Sequence, residues 1–307
     1  MIFETHCHLN DDAFKDDLDE VLLRAKNNNV TSMCIIAWDK DSSINAINIC
    51  KKYQDCGINL YPVVGLHPEN VKDEEDLELN WLEDLINNNK ICAIGEIGID
   101  LYWDKTYLDK QIYFFNKQIQ LAKKYDLPII IHSREATQLT YDILKEHQDV
   151  KGIYHCYSGS VEMAKLITNL GYKLGIGGVL TFKNSHLYEV VDALDITSFV
   201  TETDCPYLTP APNRGKRNEP AYLVYIVEKM AEIRKMQIDE ISDILYQNAK
   251  EILTRFGRMC YNTYINCPVP RGKLRRTEAG AREGESGYEE AASSFADACG
   301  FLLLPPL

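Results

Sequence analysis

The sequence predicts an α/β protein built as a (β/α)8 TIM barrel, and three observations carry that expectation. Short apolar runs alternate with helical patterns eight times between residue 1 and about residue 257. The runs are apolar nearly throughout, which suits parallel strands covered on both faces. Side chains able to hold metal gather at the ends of these runs, where barrels of this kind keep their chemistry. A doubly wound open sheet is the alternative, but the first strand-to-helix turn lacks the GxGxxG loop it often carries.

Taken in order, the expected strands are 1–6 (MIFETH), 31–37 (TSMCIIA), 59–64 (NLYPVV), 91–96 (ICAIGE), 128–132 (PIIIH), 152–155 (GIYH), 173–177 (KLGIG) and 198–202 (SFVTE). Helical patterns separate them. Leu18, Val21, Leu22 and Ala25 fall on one face, as do Ile44, Ile47 and the stem of Lys51. Tyr113, Phe114, Ile119, Leu121 and Ala122 occupy a long third helix. Ile143 with Leu144, Met163 to Ile167, and Val190 to Leu194 supply others.

The 307 residues suffice for one large domain or two ordinary ones, and an apolar fraction of 45% supports a sizeable core. The start, MIFETHCHLN, lacks the basic residues and apolar run of a signal peptide. No stretch approaches the roughly 18 apolar residues of a membrane span. Ten irregularly spaced cysteines then read as reduced and structural, and a cytoplasmic monomer is expected. After residue 257 the chain turns to Gly, Ala, Glu and Arg without an apolar face. Residues 258–307 are therefore expected to be a disordered tail behind a barrel domain spanning 1–257.

The net charge of −13 lies in the body, because residues 258–307 carry six basic and six acidic side chains. Such a body repels polyanions at long range and argues against tight duplex binding by counterion release. It does not exclude a nuclease whose local field comes from bound cations.

His6 and His8 end the first run two residues apart, so on a strand both point to one face, here the lumen. Glu96 ends the fourth run, His132 the fifth and His155 the sixth, while Asp204 follows the eighth. Singly, each has an ordinary reading: a buried polar pair, a barrel-mouth carboxylate, a hydrogen-bonded core histidine, or a turn before Cys205-Pro206. Those readings are independent, whereas a metal site explains all six positions at once. A carboxylate shared between two cations, with histidines and a second carboxylate around them, activates water and neutralises charge on the attacked group. An unbound face of Asp204 would serve as general base. The mixed N/O set suits Zn²⁺, Mn²⁺ or Fe²⁺ more naturally than Mg²⁺.

The runs ETHCHLN, GLHPE, GEIGID, IHSREA, HCYSGS, ETDCPYLTP, RGKRNEP and the closing NAKEIL resemble, in order, the TatD family of metal-dependent deoxyribonucleases, amidohydrolase-superfamily TIM barrels. The resemblance covers residues 1 to about 257. It implies two divalent ions (Mg²⁺, Mn²⁺ or Zn²⁺), one held by His6, His8, Glu96 and Asp204 and the other by Glu96, His132 and His155. It also implies hydrolysis of DNA phosphodiester bonds, typically exonucleolytic from a 3′ end on single strands, with a role in DNA repair or degradation.

Outside the metal ligands, His67 of GLHPE is a candidate phosphate contact or a loop cap before Pro68. Arg134 is a candidate phosphate fork or a partner for Glu135. Arg214, Lys216 and Arg217 form the only dense positive cluster of the body, either a guide for nucleic acid or a solvated loop. Tyr207 and Tyr157 are candidate base-stacking residues. Cys7, Cys156 and Cys205 read as packing. Two other classes stay open: a carboxylic ester or amide hydrolase, such as a D-aminoacyl-tRNA deacylase, and a non-enzymatic metal-binding protein. Intact Glu96 and Asp204 speak against the latter.

Overall fold

In a computed structural model of the chain, residues 1–253 are described; the boundary expected near Arg258 and the tail of 258–307 lie outside the described residues. Eight parallel strands form one sheet in chain order. They are β1 (Ile2–Cys7), β2 (Val30–Ile36), β3 (Asn59–Val64), β4 (Ala93–Asp100), β5 (Ile129–Arg134), β6 (Gly152–Tyr154), β7 (Lys173–Ile176) and β8 (Phe199–Thr201). Between the last strand and the first, the main-chain N–H of Asp204 donates to the His6 carbonyl at 3.0 Å, and that of His8 donates to the Cys205 carbonyl at 2.9 Å. Thr5 Oγ1 adds a bond to the Thr201 carbonyl at 3.0 Å. The sheet thus curls into a nearly closed TIM barrel, as the sequence predicts.

Helices pack on the outside because each has one apolar stripe. α1 (Leu18–Asn27) buries Val21, Leu22 and Ala25, and α2 (Lys40–Lys52) buries Ala46, Ile47 and Ile49. The start of α2 is fixed by a capping box in which the Asp39 side chain accepts the Ser42 N–H and the Ser42 side chain answers. α3 (Asn80–Asn88) was not foreseen, although Trp81, Leu82 and Ile86 give it a buried face. The long helix expected around residues 113–122 is α4 (Leu108–Lys124); Tyr113 is on its exposed side, its hydroxyl donating to the Leu77 carbonyl. α5 (Thr137–Glu146), α6 (Val161–Asn169) and α7 (Leu187–Ala193) follow.

The chain then adds α8 (Leu223–Arg234) and α9 (Ile238–Leu253). Ala249, Ile252 and Leu253 of α9 join Phe3, Ile36, Val63, Ile130, Ile153 and Val200 in one buried cluster. Asn248 of α9 donates to the Ile196 and Phe199 carbonyls where β8 begins, and Cys92, just before β4, donates to the Leu253 carbonyl, so α9 covers the end of the barrel opposite the site. Fully burying each Ile or Leu contributes about 1.5–3 kcal/mol. No described helix is long and apolar enough to cross a membrane.

The fourth and fifth strands run further than their sequence expectation. β4 continues to Asp100 and β5 to Arg134, pairing Gly98 with His132 and Asp100 with Arg134. Glu96 and His132 therefore sit inside their strands rather than at the ends. Gly98 permits the close pairing: a Cβ there would lie 1.9 Å from the His132 carbonyl oxygen, and its φ of 148° disfavours any side chain.

Candidate metal centre

Five strands deliver side chains to one buried point at the mouth. Glu96 occupies its middle, and its two oxygens face different groups. Oε2 lies 3.3 Å from His6 Nε2 and 3.8 Å from His8 Nε2. Asp204 Oδ1 completes this set at 3.7 Å from His6 and 3.4 Å from His8, whose Nε2 atoms are 3.2 Å apart. Oε1 lies 2.7 Å from His132 Nδ1, 3.0 Å from His155 Nε2 and 3.7 Å from His67 Nε2. All six residues predicted as ligands are brought together. Groupings such as His6–His8–Glu96 and His67–Glu96–His132 are compact enough to hold a metal ion.

The ring orientations are set by partners on the far nitrogens. His8 Nδ1 meets the Ile36 carbonyl at 3.1 Å; a carbonyl only accepts, so Nδ1 carries a proton and Nε2 is the nitrogen turned to the centre, where the hydrogen bond to Asp204 raises the ring's pKa against burial. His132 Nε2 contacts Asp100 Oδ2 at 2.9 Å, which turns Nδ1 towards Glu96. His155 Nδ1 lies 3.3 Å from Glu202 Oε1, off hydrogen-bond alignment, and its ring stacks on His6 at 3.8 Å between centroids. His67 Nδ1 accepts the Glu69 N–H at 3.2 Å, capping the 3-10 helix Pro68–Asp73. With that lone pair used, neutral His67 holds its proton on Nε2, which points into the centre 3.7 Å from Glu96, beyond hydrogen-bond reach.

Burial opposes every charge here, and the neighbours decide the outcome. Glu96 would be raised by burial, yet the fields of His155 and His6 hold it well below the usual carboxylate range. Asp204 is likewise lowered against burial, chiefly by its hydrogen bond to His8. Burial and then His155 depress His6, while burial and then His132 bring His67 down to about 3. For His132 the bonds to Asp100 and Glu96 overcome burial and raise it to about 9; Glu96 and Glu202 raise His155 in the same way.

Three further carboxylates beside the centre were not singled out from the sequence. Asp100 stands four residues after Glu96 on β4 and Glu202 two before Asp204, so strand periodicity pointed to both. Glu4 is the third: its Oε1 accepts the N–H groups of His6 (3.1 Å) and Thr203 (2.9 Å), and burial pushes its pKa up to about 8. It pins β1 to the segment after β8 beneath the centre. Left-handed backbone at Glu135, Cys156 and Asp204 follows or includes site residues. Each such conformation costs on the order of 1–3 kcal/mol, and strain of this kind clusters at functional sites.

The outer candidates are placed as follows. The Arg134 guanidinium stacks 3.7 Å over Tyr102, while Lys105 is the partner of Glu135. Arg217 forks onto Asp17 at 2.8 and 2.7 Å, Arg214 lies over Phe182 and donates to the Thr209 carbonyl, and Lys216 meets Asn213. Tyr207 is exposed beside His8. Tyr157 is not a stacking surface: it is buried, with its hydroxyl donating to the Ser160 carbonyl, because the turn after β6 folds it into the core. Cys7 and Cys205 are buried in the core as read.

A family model described as TatD-related DNase matches residues 3–254. An uncharacterized metal-dependent hydrolase of Bacillus subtilis, YabD, is 41% identical over 255 residues, covering 82% of this chain and 98% of its own. A metal-dependent hydrolase of Methanocaldococcus jannaschii is 36% identical, with coverage of 82% and 96%. The crystal structure of YjjV, a TatD homologue from Escherichia coli, superposes with a TM-score of 0.77 at 31% identity, covering 82% of this chain and 98% of that one.

Proposed function

Because the chain belongs to the TatD family of metal-dependent hydrolases, we propose that it cleaves phosphodiester bonds of single-stranded DNA, as a 3′-to-5′ exonuclease, with two divalent cations. The supporting observation is that Glu96 turns one carboxylate oxygen to each of two donor sets. His6, His8 and Asp204 would hold one ion with Oε2; His132 and His155 would hold the other with Oε1. The donor chemistry fits: with Nδ1 against the Ile36 carbonyl, His8 turns Nε2 to the Glu96 and Asp204 oxygens, and the neutral ring would give a cation its lone pair there. Asp100, hydrogen-bonded to the far nitrogen of His132, is the carboxylate partner that a ligating histidine normally has, and Glu202 stands 3.3 Å from the far nitrogen of His155.

When bound, such ions lower the pKa of water and neutralise charge on a phosphoryl group. The chain's own groups supply the rest. Both histidine contacts of Asp204 use Oδ1, which leaves Oδ2 to accept the proton of the attacking water. His67 presents Nε2–H, a neutral donor for a phosphate oxygen. Arg134 offers its guanidinium edge to a second phosphate, since its face is taken by Tyr102. Arg217 is left out of this reading, because Asp17 already occupies its fork.

The test uses 3′-labelled and 5′-labelled single-stranded DNA with metal-stripped protein and Mg²⁺, Mn²⁺ or Zn²⁺ restored. Stepwise shortening that needs metal and Asp204, with early loss of the 3′ label, is the expected result. Folded protein that binds the ions but cuts neither strand with any metal would move the reaction to ester or amide bonds, beginning with aminoacyl-tRNA.

A further inference from the structure

The connection between β4 and α4 carries Tyr102, Trp103 and Tyr107, which are 48%, 63% and 39% exposed. Large aromatic surface gathered at a site mouth marks a binding surface more often than chance. The rings of Tyr102 and Trp103 meet edge to face at 4.8 Å, and the Arg134 guanidinium lies over both. Among the described residues Arg134 has no side-chain hydrogen bond or ion pair; its nearest acidic neighbour in sequence, Glu135, is met by Lys105.

This cluster is joined to the centre through one residue. Asp100 Oδ1 accepts the N–H groups of Tyr102 (2.8 Å) and Trp103 (3.2 Å), while Oδ2 holds His132. A depression lined by Pro68, Glu69, Asp100, Trp103 and Tyr107 opens beside it.

We propose that Tyr102, Trp103 and Arg134 form a nucleobase-stacking station next to the scissile phosphate, which takes a base of a single-stranded nucleic acid and its phosphate. The inference rests on the phosphodiesterase reading. Aromatic faces stack on any base, and a paired base does not offer its face, so the station selects single strands or frayed ends. Arg134 meets the phosphate, whereas the depression is lined by three carboxylates, Glu69, Asp100 and Asp104, against the single cation Lys72, a balance that disfavours a second anion in it. On a chain of net charge −13, stacking rather than general attraction must supply affinity.

The experiment compares short oligothymidylates with and without abasic positions, using wild type, Trp103→Ala, Tyr102→Ala and, as an exposed-aromatic control on α7, Tyr188→Ala. KM and kcat are read with Mn²⁺, and anisotropy of a labelled phosphorothioate oligonucleotide gives binding without turnover. Base loss should raise the wild-type KM by roughly tenfold, and Trp103→Ala should erase that difference with little change in kcat. Equal binding of base-bearing and abasic strands, or a Trp103→Ala effect no larger than that of Tyr188→Ala, would overturn the station. Wild-type hydrolysis of bis(p-nitrophenyl) phosphate tests the phosphodiesterase reading separately. If that fails too, the anisotropy comparison still decides whether bases are bound.

Discussion

The N–H of Asp204 donates to the carbonyl of His6 at 3.0 Å, so two residues whose side chains meet at the centre are also joined through their main chains. Glu4 adds a second tie by accepting the N–H groups of His6 and Thr203. β8 is only three residues long, and these bonds continue the barrel seam to the level of the ligands. The centre is therefore held by backbone geometry rather than by side-chain packing alone, as a preformed site requires.

Asp100 orients His132 and anchors the loop beyond it. Asp100→Ala should weaken divalent-metal binding by about 10–100-fold, as loss of a ligand's carboxylate partner commonly does. Titration calorimetry on metal-stripped protein, with circular dichroism to verify folding, reads this directly. Unchanged affinity would show that His132 needs no such partner.

In the proposed reading His67 is a donor to substrate rather than a third member of the His67–Glu96–His132 grouping, because its Nδ1 is occupied by the Glu69 N–H. His67→Ala should lower kcat/KM on DNA by about 10²-fold, the scale of one lost transition-state donor. The number of bound ions should stay the same. A drop in metal content would instead make His67 a ligand.

Much of this was legible from residue types and strand period. The eight apolar runs fall on the eight strands, and His6, His8, Glu96, His132, His155 and Asp204 converge as their spacing implied. Asp100 was hidden because the fourth run was ended at Glu96, before the glycine that lets β4 continue against β5. Glu4 was hidden because a carboxylate inside an apolar strand has no outward mark until its partners are known, and Glu202 because the eighth run was read only for the ligand that follows it, although Glu202 lies two residues before Asp204. Trp103 escaped for the opposite reason: an exposed aromatic in a loop carries no periodicity at all.

Hydrogen bonds from Arg217, then Arg24, hold the Asp17 carboxyl below its usual range. A depressed folded-state pKa stabilises above the unfolded value of about 3.9 and loses that contribution as pH falls through the folded one. Arg217→Ala should thus cost less than about 1 kcal/mol at neutral pH, since the pair is partly exposed and screened. Urea melts should show the gap to wild type closing in strong acid. A gap that persists there would assign Arg217 to packing on Phe14, over which it also lies.

Cys7 and Cys34 are fully buried, and burial pushes both thiols well above their usual range. Iodoacetamide at pH 8 should leave both unmodified in native protein and label both in denaturant, as peptide mapping would reveal. Rapid native labelling of either would mean that the β1–β2 seam opens readily.

The central claim is that Glu96 joins two metal sites, and counting ions tests it most directly. Equilibrium dialysis against Zn²⁺ or Mn²⁺ should give two ions per wild-type chain, whereas Glu96→Ala should lose tight binding at both sites together with hydrolysis while remaining folded. One ion in the wild type, or two ions still bound tightly by folded Glu96→Ala, would contradict the account.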